Sequence, residues 1–130
     1  MKVLVIGYGY MGQIRQQVVE QVDGLELVGI CDQYIDAAEL GGYRHFEDYR
    51  QAIDGTEPDL VFVCTPNSHS PDICIYALER GCHVFCEKPP GRNVEDISRI
   101  IAAEHANPGL KVMFGFNHRH HPAILEAKSI

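Results

Sequence analysis

The chain has 130 residues, of which 11 are Lys or Arg and 18 are Asp or Glu, so its formal net charge is −7. This length suits one compact domain, and 45% hydrophobic with 22% charged residues is typical of a globular chain rather than a disordered or fibrous one. The acidic balance, without any Lys/Arg cluster, argues against nucleic acid and anionic membranes as partners. No apolar run approaches the roughly 20 residues of a membrane helix, and the amino-terminal run is too short for a signal peptide. We therefore expect a cytoplasmic protein.

Six short apolar segments predict six β-strands. They are rich in β-branched residues and mostly continuous rather than alternating, which is typical of strands that are covered on both faces of a parallel sheet. In chain order the segments are 3–6, 25–31, 43–46, 60–64, 82–86 and 112–114, and the third is the weakest.

Helical patterns fall between these strands, over 11–22, 47–53, 70–80 and 93–106. In the first helix, Ile14, Val18 and Val22 recur at helical spacing and form the predicted apolar face. In the last, Asn93 is the predicted N-cap, with Asp96 three residues on. The alternation of strands and helices predicts an α/β fold with a doubly wound, mainly parallel sheet.

A further helix is predicted to begin at Pro122, since proline suits the first helical position. Its apolar stripe has only begun when the sequence ends at Ile130, without a capping residue. We therefore expect the chain to be part of a longer protein.

The glycines at positions 7, 9 and 12 follow a predicted buried strand and open a helix, as in a dinucleotide-binding turn. Gly7 allows the tight turn, Gly9 lets the backbone approach a pyrophosphate, and Gly12 lets the helix pack on the strand. The pyrophosphate would lie over residues 10–12, where free N–H groups and the helix dipole favour an anion. The alternative is a strand–helix turn that merely needs glycine.

Asp32 ends the second predicted strand, where a carboxylate can accept hydrogen bonds from both hydroxyls of an adenosine ribose. The same carboxylate would repel a 2′-phosphate. The next residues, Gln33, Tyr34 and Ile35, bring no positive charge to attract one. The sequence therefore favours NAD over NADP, unless Asp32 is only a solvated loop residue.

Two further segments follow strands and reach the same edge of the sheet. At residues 64–67, Thr65 and Asn67 are candidate ligand contacts beside the crevice where strand order reverses, and Ser68 is equally a helix cap or a contact. At residues 87–90, Lys88 could orient a hydroxyl or carbonyl or assist proton transfer, or it could be an ordinary surface lysine.

The cysteines and histidines predict no metal site. Five cysteines cannot all pair, no Cys-x-x-Cys occurs, and most of them lie in apolar runs, so we expect reduced, buried thiols. His118, His120 and His121 are expected in extended backbone, where alternate side chains point apart and cannot converge on a metal ion.

Together these segments resemble the glucose–fructose oxidoreductase/inositol dehydrogenase (Gfo/Idh/MocA) family of NAD(P)-dependent oxidoreductases. The matching pieces are Gly7-Tyr8-Gly9-Tyr10-Met11-Gly12, Cys31-Asp32, Cys64-Thr65-Pro66-Asn67, residues 77–89 ending in Glu87-Lys88-Pro89, and residues 115–119 with Pro122. The resemblance implies an NAD(P)-binding Rossmann domain over 1–118. Residues 119–130 would then start the connection to a C-terminal α/β domain that is absent from this chain.

The resemblance also implies the functional residues. Lys88 would be the catalytic lysine and would touch the substrate, while the acid/base histidine belongs to the C-terminal domain. His69 lies one position before the histidine of the family, which Ser70 replaces. The predicted cofactor contacts are Gly7, Tyr8, Gly9, Tyr10, Met11, Gly12, Asp32, Gln33, Cys64, Thr65, Pro66, Asn67, His69, Glu87, Lys88, Pro89, Asn117 and Arg119.

By the same resemblance, the full-length protein would pass hydride from a secondary hydroxyl of a sugar, cyclitol or sugar nucleotide to the nicotinamide. It would form a homo-oligomer through the missing domain, and the fragment alone would be inactive. Three alternatives stay open: a stand-alone NAD-binding or NAD-sensing module, a biliverdin-reductase-like enzyme, and a glycosidase that uses NAD transiently.

Overall fold

The computed structural model describes residues 1–130 and contains one six-stranded sheet. All neighbouring strands are parallel, in the order β3-β2-β1-β4-β5-β6, so the predicted doubly wound parallel sheet is confirmed. Strand order reverses between β1 and β4. The strands are β1 Lys2–Ile6, β2 Glu26–Cys31, β3 His45–Phe46, β4 Leu60–Val63, β5 His83–Cys86 and β6 Val112–Phe114.

Five helices connect or follow the strands: α1 Tyr10–Gln21, α2 Tyr49–Thr56, α3 Ser70–Glu79, α4 Val94–Ala106 and α5 Pro122–Ser129. Helix α2 begins two residues later than predicted because the Asp48 side chain caps it, accepting from Gln51 N at 3.0 Å. The predicted cap of α4 is confirmed, since Asn93 accepts from Asp96 N at 2.9 Å. No helix is both long and apolar enough to cross a bilayer.

The sheet separates two apolar clusters. Leu4 and Ile6 face a larger core that also contains residues from α2, α3 and α4. Val3 and Val5 point to the opposite face, where they pack with Val19 of α1. All four strand residues are almost completely buried, which explains why the strands read as continuous apolar runs.

The predicted apolar face of α1 was wrong. Val18 and Val22 are exposed and Ile14 is only half-buried, whereas the buried residues are Gly12 and Val19. Gly12 determines this orientation, since a Cβ there would overlap the carbonyl oxygen of Gly7. The helix approaches β1 along its glycine face, and apolar spacing alone could not reveal that contact.

Two short 3₁₀ segments, Ala37–Leu40 and Asn117–His120, were not predicted. The second contradicts the extended backbone expected around the three histidines. No group of three or more His, Cys, Asp or Glu side chains is arranged to hold a metal ion. Beyond this segment, α5 is exposed along its whole length.

The contrast between Gly12 and Gly9 gives a stability test. We expect Gly12→Ala to lower the free energy of unfolding by about 1 to 3 kcal/mol, because the added methyl group must push α1 away from β1. Gly9→Ala is the matched control, since nothing lies within 4 Å of a Cβ there, and it should cost less than about 1 kcal/mol. Urea unfolding followed by circular dichroism measures both values, and equal losses would contradict this account of the contact.

Candidate functional site

A cavity of about 450 Å³ opens at the carboxyl ends of β1, β2 and β4, beside the point where strand order reverses. Open α/β sheets bind ligands at this position. The predicted residues that line it are Gly7, Gly9, Asp32, Gln33, Cys64, Thr65, Pro66 and His69.

The glycine-rich turn is shaped by close backbone packing. Gly7 has φ +86°, and a Cβ there would lie 2.7 Å from the carbonyl carbon of Cys64. The space above Gly9 is open, so the backbone of α1 begins beside an unfilled part of the cavity. No side chain caps the start of α1 and no acidic residue stands in its first turn, so its N–H groups remain available to an anion.

The Asp32 carboxylate is held by backbone groups on both sides. Its Oδ2 accepts from Tyr8 N at 2.7 Å, and its Oδ1 accepts from Tyr34 N at 2.8 Å. The side chain therefore joins the glycine-rich turn to the loop after β2. The Tyr8 ring points elsewhere, with its hydroxyl donating to Gln16 on α1.

Several residues of the cavity wall were not singled out from the sequence as cofactor contacts. They come from the ends of β1 and β2 and from the starts of α2 and α3: Ile6, Cys31, Tyr34, Glu47, Tyr49, Asp72 and Ile73. Glu47 and Asp72 add carboxylates to that of Asp32, although Asp72 accepts from Arg99 Nη2 at 2.7 Å. Some of these residues follow predicted strands, and this position could have marked them as candidates. Only the fold, however, shows which of their side chains face the cavity.

The turn after β4 is fixed by Ser70, which is buried. The Ser70 hydroxyl lies 3.1 Å from Thr65 Oγ1 and is close enough to donate to the carbonyl oxygens of Thr65 and Pro66, at 3.1 and 3.2 Å. No side chain caps α3, so the capping alternative for Ser68 was wrong. Asn67 instead donates to Gly91 O at 3.5 Å.

The remaining predicted residues lie outside the cavity. Lys88 and Pro89 are exposed and joined by a cis peptide bond, and Lys88 makes no hydrogen bond or ion pair. Glu87 is buried and paired with Arg15. The others outside the cavity wall are Tyr8, Tyr10, Met11, Gly12, Asn67, Asn117 and Arg119.

The thiols beside the cavity are not poised as nucleophiles. Burial, with the nearby carboxylates of Asp48 and Asp32, raises the pKa of Cys31 to about 12. Burial followed by the charge of Glu87 raises the pKa of Cys64 to about 12 as well. Both groups are therefore protonated at neutral pH and act as small packing residues, as predicted.

The family profile of the Gfo/Idh/MocA oxidoreductases, described by their NAD-binding Rossmann fold, matches residues 1–116. The chain belongs to this oxidoreductase family. Its residues form the NAD-binding domain of a group that includes sugar and inositol dehydrogenases.

Three relatives illustrate the family match. Inositol 2-dehydrogenase of Salmonella typhimurium is 28% identical over all of this chain and 41% of its own length. D-glucoside 3-dehydrogenase of Escherichia coli is 30% identical over 92% of this chain and 35% of its own length. The crystal structure of scyllo-inositol dehydrogenase from Lactobacillus casei, with bound NAD(H) and scyllo-inositol, matches with a TM-score of 0.88 and 26% identity over 99% of this chain and 40% of that chain. The chain thus spans about two-fifths of the length of these relatives.

The raised thiol pKa values predict slow alkylation. At pH 8 we expect Cys31 and Cys64 in the folded chain to react with iodoacetamide roughly a thousandfold more slowly than an unperturbed cysteine, because so little thiolate is present. Peptide mass spectrometry measures the rate at each site, and all five cysteines in urea provide the control. Rapid labelling of Cys64 in the folded chain would show that its thiol is activated.

Proposed function

We propose that the chain binds NAD along the carboxyl edge of its sheet, with the adenosine in the cavity. The pyrophosphate lies over the uncapped start of α1, and the nicotinamide extends toward Lys88. The contacts made by the Asp32 carboxylate carry this proposal. Because Tyr8 N and Tyr34 N hold its two oxygens, the carboxylate is fixed at the cavity wall, where it can accept hydrogen bonds from both ribose hydroxyls.

Charge supports NAD rather than NADP. Asp32 and Glu47 line the cavity, as does Asp72, which is paired with Arg99, and no Lys or Arg lines it. A 2′-phosphate would meet the Asp32 and Glu47 carboxylates without a cation in the cavity wall to neutralise it. The similar L. casei structure contains NAD(H) as its bound cofactor, which supports the same assignment.

For the whole protein, we propose hydride transfer between a secondary hydroxyl of a sugar, cyclitol or sugar nucleotide and the nicotinamide. The names of the relatives, inositol 2-dehydrogenase and D-glucoside 3-dehydrogenase, support this substrate class. Lys88 orients the reacting oxygen, since its exposed ammonium group has no partner within the chain. When bound, NAD supplies the hydride acceptor, and an acid/base group outside these residues handles the proton.

The division of the chain also stays a proposal, with the cofactor domain over 1–118 and the connection over 119–130. The 3₁₀ segment Asn117–His120 crosses this boundary, and the exposed α5 lies beyond it. We also propose that the whole protein is a homo-oligomer that assembles through a further domain. Its cysteines are reduced, which fits a cytoplasmic location.

A thermal-shift titration tests the cofactor. We expect NAD to stabilise the chain and NADP to do so much less. Asp32→Asn loses the charge and leaves one acceptor oxygen for the two backbone N–H groups, so it should weaken NAD binding by about tenfold or more and narrow the preference over NADP. Asp36→Asn is the control, because Asp36 is a nearby exposed carboxylate that does not line the cavity. Equal stabilisation of the wild type by NAD and NADP would refute the assignment.

A turnover assay tests whether these 130 residues can catalyse hydride transfer without a further domain. We expect the 130-residue chain to bind NAD but to form no NADH with myo-inositol, scyllo-inositol or a D-glucoside, because no residue of the chain can be assigned as the base. Nicotinamide absorbance measures the product, and Lys88→Met controls for background reduction. NADH formation that requires both a polyol and Lys88 would show that these residues alone complete the active site.

A further inference from the structure

A buried ion pair joins α1 to the end of β5, outside the cavity. Arg15 Nε donates to Glu87 Oε1 at 2.8 Å, and Arg15 Nη2 donates to the same oxygen. Their side chains are only 17% and 9% exposed. The guanidinium also lies over the ring of Phe85, 4.6 Å from its centroid, and 5.8 Å from that of Phe62. Two opposite charges are therefore held against the apolar face of the sheet.

Glu87 stands where three segments meet. Its partner comes from the second turn of α1, whose first turn is the proposed pyrophosphate site. Lys88 is the next residue of its own segment. On the third side, a Cβ at Gly115 would lie 2.7 Å from Glu87 Oε2, so the carboxylate would have to shift to admit a side chain there. Gly115 follows β6 and precedes Asn117, so the carboxylate lies between α1, the segment that carries Lys88 and the segment after β6.

Fold stability alone does not account for such a pair. Two desolvated charges regain in mutual attraction roughly what they lose in hydration, and well-packed apolar side chains often stabilise a core as well or better. Two guanidinium N–H groups that donate to one carboxylate oxygen do, however, fix the distance and the direction between the two elements that carry them.

We propose that Arg15 and Glu87 are positioning residues, which hold Lys88 and the segment after β6 at a set distance from the pyrophosphate-binding end of α1. This inference rests on the proposed function, because it assumes that NAD lies along this edge. Neither side chain lines the adenosine cavity. Their loss should therefore impair binding of the nicotinamide half and leave the adenosine half unchanged.

Calorimetric titration of the 130-residue chain with AMP and with NAD tests this separation. For Arg15→Met we expect an AMP dissociation constant within about twofold of the wild type and an NAD dissociation constant about tenfold higher, since losing one hydrogen bond to a charged group weakens binding by about tenfold. Arg15→Lys keeps the charge and should recover part of the NAD affinity. Glu87→Gln keeps an acceptor and should lie between the wild type and Arg15→Met.

The control is Arg80→Met, because Arg80 also pairs with a carboxylate, that of Asp54, and lies over an aromatic ring, that of Tyr76. It lies at the other end of the sheet and should change neither affinity. Parallel loss of AMP and NAD affinity in the Arg15 variants would reduce the pair to a structural role, and unchanged NAD affinity would also overturn the proposal. A wild-type chain that binds neither ligand would instead refute the proposed function. If Arg15→Met does not fold by circular dichroism, Arg15→Lys and Glu87→Gln decide the question.

Discussion

The close approach of α1 to β1 determines the rest of this structure. A side chain at Gly12 would overlap the Gly7 carbonyl oxygen, so the helix can lie this near only along its glycine face. Arg15 and Val19, which follow Gly12 by one and two turns, are thereby turned toward the sheet. Val19 joins the apolar cluster, and Arg15 reaches Glu87. One steric contact thus fixes both the open start of the helix and the buried cation behind it.

Charge then differs between the two ends of the sheet edge. At the cavity, the two carboxylate oxygens of Asp32 accept hydrogen bonds from backbone N–H groups. These bonds fix the position of the carboxylate, but no cation neutralises its charge. Near Lys88 each buried acid has a cationic partner, Glu87 with Arg15 and Asp96 with Arg92. Lys88, by contrast, is exposed and makes no ion pair.

The fold and half of the cavity wall could be predicted from the sequence because their signals are local. Continuous apolar runs indicated the parallel strands, and the glycine turn with Asp32 indicated the cavity. Arg15 could not be found in this way, since its partner lies 72 positions away and the face of α1 depends on a backbone contact rather than on Val18 and Val22. The contacts of Ser70 could not be predicted for a similar reason. Its hydroxyl bonds the backbone carbonyl oxygens of Thr65 and Pro66, and only the fold shows the shape of that turn.

The two turns at this edge are also tied to each other. The Ser70 hydroxyl stabilises the turn after β4 through the carbonyl oxygens of Thr65 and Pro66. From the same turn, Asn67 Nδ2 donates to Gly91 O, three residues after Lys88. Arg92 N in turn donates to Asp96 at 3.0 Å, so the segment that carries Lys88 is held by buried acids before and after it. Tyr34, by contrast, is 94% exposed at the mouth of the cavity. The edge therefore has one end where hydrogen bonds tie the segments to each other and one end where an exposed ring stands at the mouth of the cavity.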